Sequence, residues 1–334
     1  MPRYLMLRTP SANRVYAGES GPLSAAELEL TAPFATDIAD TDVAGVGYLS
    51  FEAPELSDAQ AETVSRQSAC FALFRAEGEL LRPVPLPAAF VLDDDLVTIP
   101  KYQGKTNEQF TQLLVNVTLA AVTREPTGPR QVLDPLAGRG TTLSTVLRLG
   151  HDAYGVEGDE KAFEQMAAFY KTYLRRGRLR HKADVTAVRR NAKTIGQRFD
   201  GTLTVDDRRL QVTAFTGDTR DSASLFGKKR FDAIVTDAPY GVAHGSHTDV
   251  RGVSGRRDRS AAGLLREAVP VWAGQLMHGG ALGLSWNTLG LAREDLARYL
   301  ADAGLVVQEG GAWERFAHRV DSSIRRDLIV AVNP

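Results

Sequence analysis

The chain has 334 residues, of which 43% are hydrophobic and 24% charged, and its formal net charge at pH 7 is −1. This composition is typical of a globular protein with one large domain or two modest ones, and it excludes a fibrous or wholly disordered chain. The single cysteine, Cys70, excludes an internal disulfide and favours a cytoplasmic location. We expect neither a signal peptide nor a membrane span, since no apolar run approaches about 18 residues.

Charge is distributed unevenly along the sequence. Residues 1–100 contain 15 Asp or Glu and 6 Lys or Arg, so the rest of the chain carries the compensating positive charge. Much of that charge lies in the segments Lys171–Arg198 and Arg251–Arg259. Two basic patches on a nearly neutral chain are typical of a protein that binds a polyanion on one face, although solvated helix faces would give the same pattern.

Residues 1–97 are predicted to form a small acidic α+β region. Strands are predicted at Tyr4–Leu7 and Val46–Phe51, and a helix at Ser57–Leu73 with Ser57 as its N-cap. The proline-dense segment Arg82–Pro87 predicts a linker, because prolines interrupt regular structure.

Residues 98–334 alternate between amphipathic helices and short apolar strands, which is typical of βαβ units with a mostly parallel sheet. The first predicted helix spans Thr106–Thr123. The predicted strands are Gln131–Asp134, Ala153–Glu157, Phe231–Asp237 and Ala281–Trp286, with helices through Leu149 and Tyr173 and a closing antiparallel pair at Trp313–Val320 and Asp327–Val332.

A glycine turn follows the first of these strands, in the segment Leu133–Leu143. Gly138 and Gly140 allow a sharp turn from strand to helix and a close approach of a ligand to the backbone. The turn lacks the further glycine or the Gly-Lys-Ser/Thr ending of a nucleotide-phosphate site. Asp134 at its mouth would repel a pyrophosphate, but it suits the ammonium of an amino-acid moiety, directly or through water.

Two more acids are predicted at the ends of the next strands. Glu157 can accept both hydroxyls of a ribose, and Asp218 can accept from the amino group of an adenine. Glu157 alone would suit a dinucleotide equally well. The ordered series of Asp134, glycine turn, Glu157 and Asp218 indicates S-adenosylmethionine as the cofactor.

The tetrapeptide Asp237-Ala-Pro-Tyr240 follows an apolar strand and indicates the acceptor chemistry. An aromatic amine is a weak nucleophile because its lone pair is delocalised into the ring. Asp237 and a backbone carbonyl held by the turn at Pro239 can accept both amine hydrogens and direct the lone pair at a sulfonium methyl. Tyr240 offers an aromatic face to a flipped-out base. Asp237, Pro239 and Tyr240 are therefore the predicted catalytic residues.

These motifs carry a family resemblance. Asp134–Gly140 and Asp237–Val242 resemble the first and fourth motifs of Rossmann-like S-adenosylmethionine-dependent amino-methyltransferases. Over residues 98–332 the chain most resembles the tRNA guanine-N2 methyltransferases of archaea and eukaryotes and the RNA methylases related to them. The resemblance implies an α/β Rossmann-like fold with a mostly parallel sheet of seven strands, after a small α+β region. Ala238 departs from the usual motif, which has a proline there.

The resemblance also implies roles for individual residues. Asp237 would contact the target amine, Tyr240 would stack on the base and Glu157 would hold the ribose. The helix before the first motif would help close the cofactor pocket, near Lys105 and Asn107. The residues predicted to bind the cofactor are Asp134, Pro135, Ala137, Gly138, Gly140, Thr141, Glu157, Gly158, Asp218, Thr219 and Thr106.

The predicted partner is a nucleic acid, with RNA favoured over DNA and guanine N2 in tRNA as the target. The same chemistry would serve a DNA adenine-N6 or cytosine-N4 methyltransferase, and an inactive RNA-binding subunit would keep the fold. His244 and His247 flank Gly245-Ser246, but they lack the further ligands that a metal needs, so no metal site is predicted.

Overall fold

A computed structural model describes residues 1–11, 14–102, 104–190, 193–239 and 260–334. Tyr240, His244, His247 and the basic segment Arg251–Arg259 lie outside these residues. The described chain contains two β-sheets, one of five strands and one of ten.

The N-terminal sheet is antiparallel, with the strand order β2-β3-β1-β4-β5. Its strands are β1 (Arg3–Arg8), β2 (Thr36–Val43), β3 (Val46–Glu52), β4 (Cys70–Glu77) and β5 (Leu80–Val84), and its helices are α1 (Arg14–Thr31) and α2 (Asp58–Ser65). The first two predicted strands match β1 and β3. Helix α1 was not predicted, and it contains Pro22.

Two predictions in this region were wrong in their extent. The helix that begins after Ser57 ends at Ser65, and Cys70–Leu73 belongs to β4, where these residues pair with β1. Ser57 does cap the helix, since its hydroxyl accepts from the Gln60 N–H and its own N–H donates to the Gln60 side chain. The proline-dense segment begins in the edge strand β5, where Pro83 pairs with Phe74. An edge strand tolerates a proline because one side of its backbone has no partner strand.

The large sheet and its helices follow the predicted alternation at the four predicted parallel strands, but three strands follow one another without a helix between residues 180 and 216. The predicted closing strand Trp313–Val320 was wrong in its extent, since only His318–Arg319 of it is a strand. The strands are β6 (Gln131–Asp134), β7 (Asp152–Glu157), β8 (Arg180–Arg190), β9 (Lys193–Val205), β10 (Arg208–Thr216), β11 (Phe231–Asp237), β12 (Leu276–Asn287), β13 (Val306–Val307), β14 (His318–Arg319) and β15 (Arg325–Val332). The helices are α3 (Asp95–Thr98), α4 (Glu108–Ala120), α5 (Thr141–Arg148), α6 (Glu160–Arg176), α7 (Ser222–Phe226), α8 (Ala261–Ala273) and α9 (Arg293–Asp302).

Five parallel strands form the centre of this sheet, in the order β10-β7-β6-β11-β12. This is the third, second, first, fourth and fifth of them in chain order, which is the order of a Rossmann fold. The order reverses between β6 and β11, and ligands of such sheets bind beyond the carboxyl ends of the strands at this reversal.

The sheet has ten strands rather than the predicted seven. Seven of the ten strands are consecutive in the order β13-β15-β12-β11-β6-β7-β10. Six of these are parallel to one another, and β15 runs antiparallel to its neighbours β12 and β13. The remaining strands are β14, which pairs with β15, and the hairpin of β8 and β9, which extends the sheet beyond β10. The apolar pattern did not predict β8, because most of its side chains are polar and exposed.

Helix α1 packs into the core of the large sheet. Tyr16, Leu23 and Ala26 of α1 share one buried cluster with Phe110 and Leu113 of α4. The N-terminal sheet has a separate cluster of its own. The predicted boundary at residue 97 stays a prediction, and helix α1 contributes to the core on the other side of it.

Candidate active site

The glycine turn joins β6 to α5 and forms hydrogen bonds with the end of β7. Gly138 and Gly140 both have positive φ, at +53° and +85°, a backbone conformation that favours glycine. A Cβ placed on Gly138 would meet no atom within 4 Å, whereas one on Gly140 would lie 3.1 Å from the side chain of Met166. Gly138 therefore leaves its backbone open to a ligand, and Gly140 is needed for packing.

Glu157, at the end of β7, is tied to this turn. Its carboxylate accepts from the Gly138 N–H at 2.6 Å and from the Asp159 N–H at 2.7 Å. Burial raises the pKa of Glu157, and the hydrogen bonds from Asp159, Gly138 and Gly158 oppose that rise. The Glu157 residue as a whole is only partly buried, and it lies beside the open face of Gly138.

Asp134 lies deeper, at the end of β6, and is only 3% exposed. It accepts from the Leu136 N–H at 3.0 Å and from the Thr236 hydroxyl at 2.8 Å. Burial raises its pKa to about 6, although hydrogen bonds from Leu136, Thr236 and Thr142 lower it. Asp134 thus orders the glycine turn and joins β6 to β11. We refer to Asp134, Gly138, Gly140 and Glu157 as the glycine-turn cluster.

The other predicted cofactor residues surround this cluster or lie farther along the sheet. Pro135 and Ala137 are buried in the turn, and the Ala137 N–H donates to the carbonyl of Val156 at 2.9 Å. Thr141 begins α5, and its hydroxyl is 2.8 Å from that of Tyr102. The Arg139 guanidinium lies 4.6 Å from the centre of the Tyr102 ring. The sequence analysis missed Tyr102, which covers one side of the turn.

Asp218 and Thr219 follow β10 and are already engaged by protein groups. Both carboxylate oxygens of Asp218 accept from the Arg220 guanidinium, at 2.6 and 2.8 Å. Thr219 is 6% exposed, and its hydroxyl accepts from the indole N–H of Trp272 at 3.0 Å. The structure therefore gives Thr219 a packing role beneath α8, and the adenine contact of Asp218 stays a prediction.

Asp237, at the end of β11, is held by three elements distant from it in sequence. One carboxylate oxygen accepts from the Ser285 hydroxyl of β12 at 2.6 Å. The other accepts from Thr106, just before α4, at 2.5 Å and lies 3.8 Å from the Arg326 guanidinium of β15. We refer to Asp237, Thr106, Ser285 and Arg326 as the Asp237 cluster. Thr106 was predicted near the cofactor and is found here.

Arg326 supplies the balancing positive charge from a buried position. It is 4% exposed, and its guanidinium stacks 4.4 Å from the centre of the Phe110 ring. The hydrogen bonds from Thr106 and Ser285 fix the direction of the Asp237 carboxylate. The Asp237 side chain is 15% exposed, so a ligand can still reach it.

Ala238 stands where the motif that this segment resembles has a proline. It is 2% exposed, and its N–H donates to the Ser285 carbonyl at 2.8 Å, which continues the pairing of β11 with β12. A proline would lack this donor. Pro239 follows at partial exposure. Tyr240, as noted, is beyond the described residues, so its stacking role stays a prediction.

The two clusters meet at one edge of the sheet. Thr236 bonds to Asp134, and Asp237 is the next residue along β11. Pairing along β7, β6 and β11 places Glu157 and Asp237 at the same level of the sheet, two strands apart. Two strand spacings correspond to about 10 Å. This is the point of strand-order reversal at which the fold predicts a ligand.

Neither a metal cluster nor a membrane helix occurs in the part of the chain that the structure describes. Within it, no group of three or more His, Cys, Asp or Glu side chains could hold a metal ion. No helix there is long and apolar enough to cross a membrane.

No family profile matches this chain, and no curated protein matches it. Solved structures that resemble it are methyltransferases. The 16S rRNA N2-guanine methyltransferase RsmC of T. thermophilus, in complex with AdoMet and guanosine, is 15% identical with a TM-score of 0.37, over 88% of this chain and 57% of that chain. Precorrin-6y C5,15-methyltransferase from Geobacter metallireducens is 14% identical with a TM-score of 0.40, over 73% and 97%. Magnesium protoporphyrin IX methyltransferase of Synechocystis, with bound SAH, is 15% identical with a TM-score of 0.39, over 70% and 90%.

The chain itself has a Rossmann-like α/β fold, as the order of its five central parallel strands indicates. The sequence analysis missed Ser285, Arg326 and Tyr102, which complete the site. Ser285 could have been found as the polar residue near the end of an apolar strand. Arg326 carried no such signal, because it lies just before the predicted strand Asp327–Val332 and outside every predicted site segment.

Proposed function

We propose that this protein is an S-adenosylmethionine-dependent N-methyltransferase that acts on the exocyclic amine of a nucleic-acid base. The observation that supports this most directly is the Asp237 carboxylate, held from three sides at the carboxyl edge of β11, beside the glycine-turn cluster. The two clusters together offer acceptors for a nucleoside and for an amine, at the reversal of strand order.

The residues of the glycine-turn cluster fit S-adenosylmethionine. The open face of Gly138 admits a ligand against the backbone, and the partly buried Glu157 beside it suits ribose hydroxyls. Asp134, which is 3% exposed, suits the ammonium of the cofactor through a water molecule. Glycines of this kind serve close approach of the backbone to a bound nucleoside. When bound there, the cofactor supplies an electrophilic sulfonium methyl group.

Asp237 would act on the acceptor amine. Its carboxylate accepts a hydrogen bond from the amine N–H, which draws the lone pair out of conjugation and points it away from the ring. When the nitrogen takes up the methyl group and the sulfonium becomes a neutral thioether, the nitrogen loses one proton, which passes to solvent. Thr106 and Ser285 fix the carboxylate oxygens, so little reorganisation is needed when charge develops on the nitrogen. The Arg326 guanidinium lies 3.8 Å from one of these oxygens and adds a positive charge beside the carboxylate.

Within this class we favour guanine N2 of an RNA, and tRNA in particular. The motif at Asp237 and its resemblance to RNA guanine-N2 methylases favour the guanine amine. The basic segments of the sequence favour a polyanionic carrier.

The test is transfer of a tritiated methyl group from S-adenosylmethionine to total tRNA, rRNA and genomic DNA, with nucleoside analysis of the labelled fraction. We expect label in N2-methylguanosine from tRNA. Label in N6-methyladenine or N4-methylcytosine from DNA would contradict the RNA assignment while leaving the amine chemistry intact. No transfer to any of these, from a protein that binds the cofactor by calorimetry, would contradict the proposed function.

A further inference from the structure

The basic residues of the segment Lys171–Arg198 lie at two separate places in the fold, which the sequence does not reveal. The segment holds ten Lys or Arg and one acid, Asp184. In the fold it runs from the end of α6 through β8 to the middle of β9. Because β8 is a long strand, the basic residues at its two ends lie at opposite edges of the sheet.

Strand pairing shows which end lies near the site. Arg180 and Lys182 pair with Thr204 and Thr202 of β9, which in turn pair with the first residues of β10. They therefore lie at the amino edge, away from the glycine-turn cluster and the Asp237 cluster. Arg189 and Lys193 lie at the other end of the hairpin, beyond the last residue of β10.

This other end rises above the carboxyl edge of the sheet. The backbone of Gln197 bonds to Thr216, the last residue of β10, at 2.7 Å, and Thr216 pairs with Glu157. Residues 193–196 continue past this level, which corresponds to about 13 Å at about 3.3 Å per residue. We refer to Arg189 and Lys193 as the hairpin end.

The charges at the hairpin end face solvent. Arg189 and Lys193 are exposed, and neither forms an ion pair with a described residue. Lower down, Arg198 differs, because it pairs with Asp200 at 2.7 Å and stacks on Phe215. Exposed cations without acidic partners on a projecting strand pair raise the local positive potential, which attracts a polyanion.

We propose that the hairpin end binds the phosphate backbone of an RNA while one of its bases is held at Asp237. This rests on the proposed function for the choice of RNA as the polyanion. The position and the charge of the hairpin end support the phosphate contact itself. Phosphate contacts of this kind fix the register of a nucleic acid on a protein without reading its bases.

The geometry requires a polymer rather than a nucleoside. β9 lies four strand positions from β11, or about 19 Å at about 4.8 Å per strand. At about 3.4 Å per stacked nucleotide, this distance corresponds to about six stacked nucleotides between the target base and the phosphates at the hairpin end. A single nucleotide at Asp237 would not reach it.

The test compares two charge reversals on the same hairpin. The first variant is Arg189→Glu with Lys193→Glu, at the hairpin end. The control is Arg180→Glu with Lys182→Glu, which changes the same charge at the amino edge of β8. Equilibrium binding of unfractionated tRNA and of a 30-base-pair DNA duplex is measured by anisotropy across a salt series, with cofactor affinity measured by calorimetry.

We expect the hairpin-end variant to bind tRNA at least about tenfold more weakly, with a log–log salt slope reduced by about 1.5 to 2. The control should stay within about twofold of the unmodified protein, and neither variant should change cofactor affinity. Equal weakening in both variants, no weakening in the first, or an equal effect on duplex DNA would overturn the proposal. An unmodified protein that does not bind tRNA would overturn it as well.

The outcomes separate this proposal from the proposed function. If the unmodified protein binds tRNA through the hairpin end but transfers no methyl group to any nucleic acid, the hairpin proposal stands and the proposed function fails. If the protein methylates tRNA and the hairpin-end variant binds and methylates it equally well, the proposed function stands and the hairpin proposal fails.

Discussion

The four residues of the glycine-turn cluster lie between positions 134 and 157, at the ends of two consecutive strands and in the turn that follows the first of them. The Asp237 cluster instead joins residues separated by 131, 48 and 89 positions from Asp237. The first is a local feature of consecutive βα units, whereas the second exists only after four distant elements pack together. The comparison teaches that the predicted cofactor residues are encoded by consecutive elements, whereas the surroundings of the Asp237 carboxylate depend on the whole sheet.

The largest effect is expected at Asp237. Asp237→Ala should lower methyl transfer by about a thousandfold or more, because it removes the acceptor that stabilises charge developing on the amine. Cofactor affinity should stay within a few-fold, since the glycine-turn cluster is untouched. Steady-state transfer assays and calorimetry measure the two quantities. Near-normal turnover of this variant would remove the functional distinction between the two clusters.

Glu157→Ala tests the role of the glycine-turn cluster. The loss of a carboxylate that accepts ribose hydroxyls should weaken cofactor binding by about 10- to 100-fold, the range for hydrogen bonds to a charged group. Turnover at saturating cofactor should fall much less. Glu160→Ala, a neighbouring exposed acid at the start of α6, is the matched control. Unaltered calorimetric affinity in Glu157→Ala would contradict the ribose role.

Thr106→Val and Ser285→Ala test whether the hydroxyls position Asp237. Each should lower kcat by about tenfold, because one hydrogen bond to the carboxylate is lost, and cofactor affinity should not change. Thr106→Ser should restore most of the activity, since it restores the hydroxyl. Thr98→Val and Ser224→Ala, whose exposed hydroxyls bond to backbone carbonyls, serve as controls. A change confined to thermal stability would mean that these residues act only in packing.

The smallest effect is a pH dependence in the glycine-turn cluster. With the pKa of Asp134 raised to about 6, cofactor binding that needs its ionised form should weaken about threefold from pH 6.5 to pH 5.5. Asp134→Asn should bind the cofactor more weakly and lose this pH dependence.

The stability of the fold should depend on pH in the opposite direction to cofactor binding. Because the folded-state pKa lies above the ordinary 3.8, the free energy of unfolding should fall as pH rises from about 4 to about 6. Calorimetric affinities and denaturation midpoints across this range would show either trend or its absence.

The residue patterns predicted much of the large sheet. The apolar runs at Gln131–Asp134 and Phe231–Asp237 match β6 and β11 residue for residue, since buried parallel strands are continuously apolar. The patterns did not predict helix α1, which contains Pro22, or strand β8, whose exposed polar residues carry no apolar period. Tertiary pairing stabilises both elements where the local signal is weak.

The sequence by itself determined the order of the acids and glycines along consecutive strands, because strand, turn and helix are encoded by neighbouring residues. Only the tertiary structure decided which side chains hold Asp237. It also decided that the basic residues of one continuous segment lie at two opposite edges of the sheet. The physical reason is that packing and strand register bring together residues whose separation along the chain leaves no local pattern.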